Sequence, residues 1–365
     1  MVYRAIGLMS GSSLDGLDIV FVEFQESGGK WSFEILQAAC YAYSDAWIKR
    51  LKNASTLTAL DYQVLHTEYG HYTGKMVNRF MEEHQLHFQV ALIASHGHTT
   101  FHQPEKKMTA QLGGGAAIAA ETKLPVVTDL RALDVAFGGQ GAPIVPVGEK
   151  MLWSGYNYFL NIGGIANISI NTDPYIAFDI CPANRVMNML AHEAGKSFDD
   201  GGEMAASGFV HTALLEKLNQ FDYYKKPCPK SLANEFGTDV VFPVIRNSGC
   251  NIPDALRTYT EHIAIQLKYA IIGSANYTLQ TADNRLLATG GGAFNNFLMN
   301  RIKDSIKELD IEVIIPDAKL VNYKEALIMA FIGVLRWRQE NNVLSSVTGA
   351  ARDSIGGALW TGQEA

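Results

Sequence analysis

The amino-acid sequence predicts an α/β protein of two domains that repeat one architecture. The chain has 365 residues, more than a usual single domain, and 47% of them are apolar, which is enough for two sizeable cores. Predicted strands alternate with predicted helices, which is typical of mixed sheets with helices on their faces. The order of elements in the first half also recurs in the second half, with little identity between the residues.

In the first half, two apolar runs flank a Gly-, Ser- and Asp-rich bend and predict a hairpin. A third strand, a long helix, a short buried strand, a helix of small residues and a last strand follow. These elements are predicted at 3–11, 17–24, 31–40, 58–84, 90–95, 113–123 and 124–129.

The second half begins again with a strand, a Gly-rich bend and a strand. The elements predicted there lie at 158–170, 174–180, 255–275, 284–292, 294–309, 311–316 and 323–339. Gly and Pro cluster at 138–148, so domains of 1–145 and 146–365 are predicted, with a soft boundary. The last helix could pack back on the first domain.

Composition excludes several classes of protein. The net charge of −7 argues against a partner of nucleic acid. The four cysteines are scattered without a CxxC pair, which favours a reducing cytoplasm over a disulfide framework or a zinc site. The start does not resemble a signal peptide, and no apolar run reaches about 20 residues, so no membrane partner is expected. These properties indicate a cytoplasmic globular enzyme.

Three Gly-rich bends are candidates for contact with phosphate. The first, at 10–18, offers backbone N–H groups together with Ser and Asp, which could bind phosphate oxygens and hydrated magnesium. A plain hairpin turn is an equal alternative for it. A second bend at 160–167 and glycines at 290–292 favour a nucleotide site. Neither a GxxxxGK[ST] P-loop nor a dinucleotide fingerprint is present.

The segment SHGHTTFH (95–102) contains three histidines, for which contact with a polar substrate is favoured over a metal site. Arg131 and its polar neighbours at 127–143 suit sugar hydroxyls and a carboxylate. The alternative there is a helix cap at Asp129 and a surface ion pair. Asp179, after a buried strand, suits a general base or a helix N-cap. Glu325 begins an apolar helix, where structure alone could account for it.

The chain resembles the anhydro-N-acetylmuramic acid kinases within the superfamily of sugar kinases, actin and acetate kinase. The resemblance covers essentially the whole chain. The motifs that carry it lie, in order, at 9–18, 95–99, 127–146, 160–169, 177–184, 228–236, 289–299, 324–326 and 347–350. It implies two duplicated ribonuclease-H-like domains, each with a mixed five-stranded sheet flanked by helices, and an interdomain cleft that binds ATP.

The resemblance also implies a reaction. Water would open 1,6-anhydro-N-acetylmuramic acid, and the freed O6 would take the γ-phosphate of ATP with Mg²⁺, giving N-acetylmuramic acid 6-phosphate and ADP. Asp179 would be the base, and Thr99, Arg131 and Glu325 would face the sugar. The implied nucleotide-binding residues are Gly11, Ser12, Ser13, Leu14, Asp15, Gly16, Leu17, Asp18, Asn161, Gly163, Gly164, Gly290, Gly291 and Gly292. No protein metal ligand is assigned, and a homodimer is left open.

The chain departs from the family motifs at three places. It has DICPAN at 179–184 where the family reads DTGPGN, SHGHT at 95–99 for SHGQT, and CPKSLANE at 228–235 for PPKSTGRE. If the family needs a positive φ at the first glycine, Cys181 is expected to be strained or the loop reshaped. Two alternatives therefore stay open: a nucleotide- or muropeptide-binding protein without catalysis, and a kinase or phosphatase for another small metabolite.

Overall fold

The structure, a computed structural model, describes residues 1–11, 13–228 and 230–362. The chain forms two compact units. The first unit comprises residues 1–153 and 323–365, and the second comprises 154–322. The division predicted at residue 145 differs from this one, because the boundary lies after Trp153 and the end of the chain belongs to the first unit.

The first unit is built on a mixed seven-stranded sheet. Its strands are β1 (Val2–Ser10), β2 (Gly16–Ser27), β3 (Lys30–Ala42), β4 (Leu92–Gln103), β5 (Met108–Leu112), β6 (Val126–Thr128) and β14 (Ala358–Trp360). The order is β14-β6-β4-β1-β2-β3, with β5 paired to β4. β1, between β2 and parallel β4, is buried over most of its length, as its apolar run predicts.

Helices cover the faces of this sheet. They are α1 (Asp45–Lys52), α2 (Ala59–Glu83), α3 (Gly115–Thr122), α4 (Ala132–Ala136), α5 (Pro146–Leu152), α13 (Ala318–Trp337, mostly in this unit) and α14 (Ser345–Thr348). α2 and α3 pack on one another. α13 approaches β1 so closely that the backbone of Ala326 leaves no room for a β-carbon at Gly7. This packing fixes the position of Lys324 and Glu325 beside the sheet.

The second unit contains a five-stranded sheet of β7 (Tyr158–Ile162), β8 (Ile165–Ile170), β10 (Ile176–Pro182), β12 (Arg285–Thr289) and β13 (Glu312–Ile314). The order is β10-β8-β7-β12-β13. If the five strands of this sheet are numbered in chain order, they lie in the order 3-2-1-4-5. In the first unit, β3, β2, β1, β4 and β6 lie in the same order. The predicted duplication is confirmed, and the first sheet exceeds the predicted five strands by β5 and β14.

The other elements of the second unit surround this sheet. They are α6 (Asn184–Glu193), α7 (Glu203–Ser207), α8 (Thr212–Asn219), α9 (Asp222–Lys225), a π-helix (Phe236–Val241), α10 (Phe242–Arg246), α11 (Ile252–Gly273), α12 (Asn296–Ile306) and a small ladder of β9 (Thr172–Asp173) with β11 (Thr278–Leu279). Tyr259 of α11 donates a hydrogen bond to the Pro182 carbonyl (2.7 Å). Within the described residues, no helix has the length and apolar character needed to cross a membrane.

Candidate functional site

The turn between β1 and β2 is held by its own polar groups. The Ser13 hydroxyl donates to Asp15 Oδ1 (2.6 Å), and the N–H of Gly16 donates to the same oxygen (3.1 Å). Leu14 has a φ of 58°, in the left-handed region. Ser12 lies outside the described residues. This part of the hairpin is a Ser–Asp turn with its acidic tip exposed at Asp15.

Not every residue predicted at this hairpin faces the turn. Leu17 is only 2% exposed and packs in the apolar core of the unit. Gly16 lies against the backbone of Tyr41 in β3. Gly11 has open space where a side chain would stand, apart from the Ser13 hydroxyl. Gly11, Ser13, Leu14 and Asp15 therefore lie at the turn, whereas Gly16 and Leu17 belong to the sheet.

Asp18 lies on β2 opposite Cys40 of β3 and is hydrogen-bonded to its thiol. The pKa of Asp18 is raised from 3.8 to about 6, mainly by burial and also by the charges of Asp15 and Glu325, while the hydrogen bond from Cys40 acts against these effects. Asp15, Asp18 and Glu325 therefore form an acidic cluster within the first unit. Glu325 itself is exposed, while its neighbour Lys324 is buried in an ion pair with Glu149 (2.8 Å).

The raised pKa of Asp18 predicts a stability change with pH. The unfolded chain loses this proton near pH 3.8 and the folded chain near 6, so the free energy of unfolding falls as pH rises between these values. Asparagine cannot ionise, so this fall is absent in Asp18→Asn. We expect the free energy of unfolding of Asp18→Asn, relative to that of the wild type, to be about 1–2 kcal/mol higher at about pH 7.5 than at about pH 4. Urea unfolding at both pH values measures this. An equal gain in the exposed Asp239→Asn control would contradict the assignment to Asp18.

A cavity of about 310 Å³ lies beside the β1–β2 turn within the first unit. Its lining residues are Met9, Ser10, Gly11, Leu14, Leu51, Lys52, Ser55, His96, His98, Thr99, Thr100 and Arg131. Four predicted site residues, Gly11, Leu14, Thr99 and Arg131, thus meet in one cavity. Leu51, Lys52 and Ser55 were missed because α1 and the turn after it carry no motif.

Arg131 is anchored at the wall of this cavity. Its Nε donates to His96 Nε2 (2.8 Å), and its Nη1 donates to the Gly141 carbonyl (2.5 Å). The His96 ring bonds the Gly97 carbonyl through Nδ1 (2.8 Å). Burial and the Arg131 charge lower the pKa of His96 to about 3, so its ring is neutral and Nε2 can accept. Burial lowers the pKa of Arg131 to about 10, which leaves it charged at neutral pH.

The alternatives considered for the Arg131 segment do not describe it. α4 begins with Arg131 at the N-cap position and has no side-chain cap, so Asp129 does not cap this helix. Asp134 is fully buried rather than on the surface. It accepts hydrogen bonds from Gly141 N–H (2.8 Å) and from the Thr348 hydroxyl (2.7 Å). Asp134 and Thr348 therefore shape the backbone that holds Arg131.

In the second unit, the turn between β7 and β8 is tied to the start of α6. The N–H of Ala183 donates to the Gly164 carbonyl (2.8 Å), and the N–H of Asn184 donates to the Gly163 carbonyl (3.0 Å). The side chain of Asn184 also donates to the Ile162 carbonyl (2.9 Å). A β-carbon on either glycine would meet only ordinary contacts at 3.5 Å or more, and the exposed Arg185 is nearest to Gly164. This turn has room for a ligand.

The glycines at 290–292 stand against the same turn, because β12 pairs with β7 up to Thr289 and Asn161. A β-carbon on Gly290 would lie 2.6 Å from Asn161 Oδ1 and 2.8 Å from the Ile162 carbonyl, and its φ is 81°. A β-carbon on Gly292 would be closer still to Ile162, at its Cγ2 atom, whereas one on Gly291 would have its nearest neighbour at 3.5 Å. A side chain at Gly290 or Gly292 would therefore clash with the β7–β8 turn, whereas Gly291 has more room.

This contrast predicts different effects of two alanine substitutions. Gly290→Ala is expected to lower the free energy of unfolding by about 1–3 kcal/mol, because it combines a strained φ with a clash. Gly164→Ala has space for its methyl group and is expected to change stability by less than about 0.5 kcal/mol. Urea unfolding of both variants measures the difference. Equal stability would contradict the packing role of Gly290.

Asp179 is held in one orientation on β10. One carboxylate oxygen, Oδ2, accepts a hydrogen bond from the N–H of Leu232 (2.8 Å). Its backbone N–H donates to the Lys230 carbonyl (3.0 Å), and Tyr223 donates to its carbonyl (2.6 Å). Burial raises the pKa of Asp179, while the bond from Leu232 acts against this effect. Asp179 is half-buried, and among the described residues no hydrogen bond is made by Oδ1.

The surroundings of Asp179 exclude two of the alternatives, a helix cap at Asp179 and strain at Cys181. α6 begins at Asn184 with Ala183 as its N-cap, so Asp179 is not a helix cap. Cys181 does not have a positive φ, and the pairing of β10 with β8 shifts register between Asp179 and Cys181. Cys181 is therefore not strained by a left-handed backbone, and a β-bulge lies directly before it. Of the residues that contact Asp179, Lys230 and Leu232 belong to the 228–236 motif, and Tyr223 precedes it in the sequence.

The histidines of the 95–102 segment do not form a cluster of ligands. His96 bonds Gly97 and Arg131, His98 bonds Ser10, and His102 bonds Thr109. Within residues 1–11, 13–228 and 230–362, no three His, Cys, Asp or Glu side chains are arranged to hold a metal ion. His96 and His98 instead line the cavity.

The chain matches one family of known proteins over nearly its whole length. The family model for anhydro-N-acetylmuramic acid kinase matches residues 3–362. The anhydro-N-acetylmuramic acid kinase of Photobacterium profundum is 32% identical over 98% of this chain and 99% of its own length. That of Francisella tularensis subsp. novicida is 31% identical over 97% of each chain.

The similarity to solved structures is weaker, both in sequence identity and in TM-score. The activator of the 2-hydroxyisocaproyl-CoA dehydratase from Clostridium difficile is 11% identical and covers 90% of this chain and 94% of its own, with a TM-score of 0.44. The assignment therefore depends on the family model and the full-length relatives. On that ground, the chain belongs to the anhydro-N-acetylmuramic acid kinase family.

Proposed function

We propose that this protein is an ATP- and Mg²⁺-dependent kinase that opens 1,6-anhydro-N-acetylmuramic acid and phosphorylates its O6. Water adds to the anomeric carbon, the bond from that carbon to O6 breaks, and O6 attacks the γ-phosphorus. The bond from the γ-phosphorus to its bridging oxygen then breaks and releases ADP. The proton of the water passes to Asp179. The products are N-acetylmuramic acid 6-phosphate and ADP, as expected for recycling of the cell wall.

The observation that carries this proposal is the geometry of Asp179. The Leu232 N–H fixes Oδ2, so the carboxylate cannot rotate freely and Oδ1 can take a proton from water. Burial makes the carboxylate more basic, which favours transfer of a proton to it.

The cavity of the first unit has the chemistry of a site for an acidic sugar. Arg131 and Lys52 supply two cations, and Thr99 supplies a hydroxyl that can donate or accept. The anchored guanidinium keeps Nη2 for a ligand, because Nε and Nη1 already have partners. A carboxylate is the ligand that such a guanidinium binds best. Glu325, exposed nearby, could accept a bond from a sugar hydroxyl.

The nucleotide is proposed to contact the two Gly-rich turns, through Gly11, Ser12, Ser13, Leu14 and Asp15 and through Asn161, Gly163, Gly164 and Gly291. Mg²⁺ usually keeps several waters and takes one or two carboxylates together with phosphate oxygens. Asp15 or Asp18 could supply such a carboxylate, and their mutual repulsion is what a cation would relieve. When bound, the ion would neutralise charge on the phosphates. A cytoplasmic location completes the proposal, and the oligomeric state is left open.

Isotope-labelled turnover tests the proposed reaction. The protein is incubated with ATP, Mg²⁺ and the anhydro sugar in H₂¹⁸O, and the products are analysed by mass spectrometry. We expect ADP release that depends on the sugar, and one ¹⁸O at the anomeric carbon with none on the phosphate. Label on the phosphate would indicate hydrolysis of ATP. Binding of both ligands by calorimetry without any product would favour a binding protein instead.

A further inference from the structure

A chain of buried hydroxyl groups runs through the first unit to the wall of the cavity. The hydroxyls of Tyr69 and Tyr43 are 2.5 Å apart, the Tyr43 hydroxyl donates to Ser10 Oγ (2.8 Å), and Ser10 Oγ lies 3.0 Å from Nδ1 of His98. All four side chains are buried, with exposures of 6% or less. The chain ends at His98, which lines the cavity.

Counting hydrogens favours one direction for these hydrogen bonds. Each hydroxyl has one hydrogen to donate. Tyr43 gives its hydrogen to Ser10, and Ser10 can then give its own hydrogen to Nδ1 of His98. The reverse direction, with an Nδ1–H as the donor, would leave the buried Ser10 hydroxyl without this acceptor, so the first direction is favoured. Nδ1 then accepts, and a neutral imidazole must carry its proton on Nε2. Burial lowers the pKa of His98 and so favours this neutral ring.

The backbone of His98 is fixed as well. His98 pairs with Ser10 of β1 on one side and with Leu112 of β5 on the other. Among the described residues, no hydrogen bond is made by Nε2 of His98. A donor fixed in tautomer and position, without a protein partner, is suited to an oxygen atom of a ligand.

We propose that His98 is a substrate-binding residue whose Nε2–H donates a hydrogen bond to an oxygen of the bound amino sugar, and that Ser10 and Tyr43 are positioning residues that set its tautomer. This inference rests on the proposed function, because the ligand is the sugar of that reaction. It also explains how a histidine replaces the glutamine of the family motif. Either side chain can present one N–H to the same cavity.

The tautomer is measured first, without any ligand. In protein labelled with ¹⁵N-histidine, the ten histidines give separate imidazole resonances, and His98→Gln identifies those of His98. We expect an unprotonated Nδ1 and a protonated Nε2 at neutral pH. In Ser10→Ala the donor to Nδ1 is lost, so we expect both tautomers. A proton on Nδ1 in the wild type would overturn the proposal.

Titration with the anhydro sugar is the second measurement. We expect the Nε2 and Hε2 resonances of His98 to shift, while those of His87, on the exposed surface, stay unchanged. Calorimetry on the same sample separates the two levels of the argument. Sugar that binds without moving His98 would overturn only this inference. A wild-type protein that does not bind the sugar would overturn the proposed function and this inference together.

Kinetics distinguish a contact from a structural role. His98→Phe keeps an aromatic ring but has no donor, so KM for the sugar is expected to rise about 10-fold or more with kcat within about 3-fold. His98→Gln keeps an N–H, so KM is expected to stay within about 3-fold of the wild type. His87→Gln is the matched control. Equal KM values for His98→Phe and the wild type would overturn the proposal, and the tautomer measurement stands if His98→Phe does not fold.

Discussion

Asp179→Asn is expected to lower kcat by about 10²- to 10⁴-fold, the range that a positioned general base contributes. Asparagine has nearly the same shape, and its carbonyl oxygen can still accept the hydrogen bond from the N–H of Leu232. The amide nitrogen then replaces the oxygen that would take the proton from water. Fold and ATP binding are therefore expected to persist. Formation of ADP in a single turnover and calorimetry with ATP measure the two properties separately.

The pH profile gives a second test of the same residue. A base must be ionised, and burial raises the pKa of Asp179, so wild-type kcat is expected to rise with pH through a pKa above the ordinary 3.8. Asp179→Asn should lack this acidic limb. Asp222→Asn, in an exposed ion pair with Lys225, is the control and should retain it. Near-normal turnover in Asp179→Asn would exclude Asp179 as the base.

Much of the fold follows from local patterns. The two hairpins are predictable because each pairs apolar runs across a short Gly-rich turn, as in β1–β2 and β7–β8. β14 is not predictable in this way, because its three residues have no alternation and it forms only by pairing with β6. The return of residues 323–365 to the first unit is likewise a tertiary event, in which α13 packs on β1.

The candidate site shows the same division between local and tertiary information. Thr99 and Arg131 were predictable from their motifs, and they line one cavity. Leu17 was misplaced because the alternation of β2 turns it toward the core, away from the turn that precedes it. The N–H of Leu232 that orients Asp179 could not be found from sequence. A backbone donor carries no residue signature, and 53 residues separate the two partners.

Arg131→Met is expected to weaken binding of the anhydro sugar by about 10²-fold or more, the value of a charge-assisted bond to a carboxylate in a desolvated site. Arg131→Lys keeps the charge, but an ammonium group cannot bond His96 and Gly141 and also reach a ligand as the fork does. We expect an intermediate loss of about 10-fold for it. Calorimetric titration measures both, with Arg79→Met, an exposed residue of α2, as the control.

The partner of Arg131 is identified by a sugar that lacks the acid group. The wild type should bind 1,6-anhydro-N-acetylmuramic acid more tightly than 1,6-anhydro-N-acetylglucosamine, and Arg131→Met should lose this preference because it has no cation for the carboxylate. Loss of the two anchoring bonds is expected to cost about 1–3 kcal/mol in stability, so urea unfolding must show that the variant is folded during the titration. A folded Arg131→Met that still prefers the acidic sugar would show that another cation of the cavity, Lys52, holds the carboxylate.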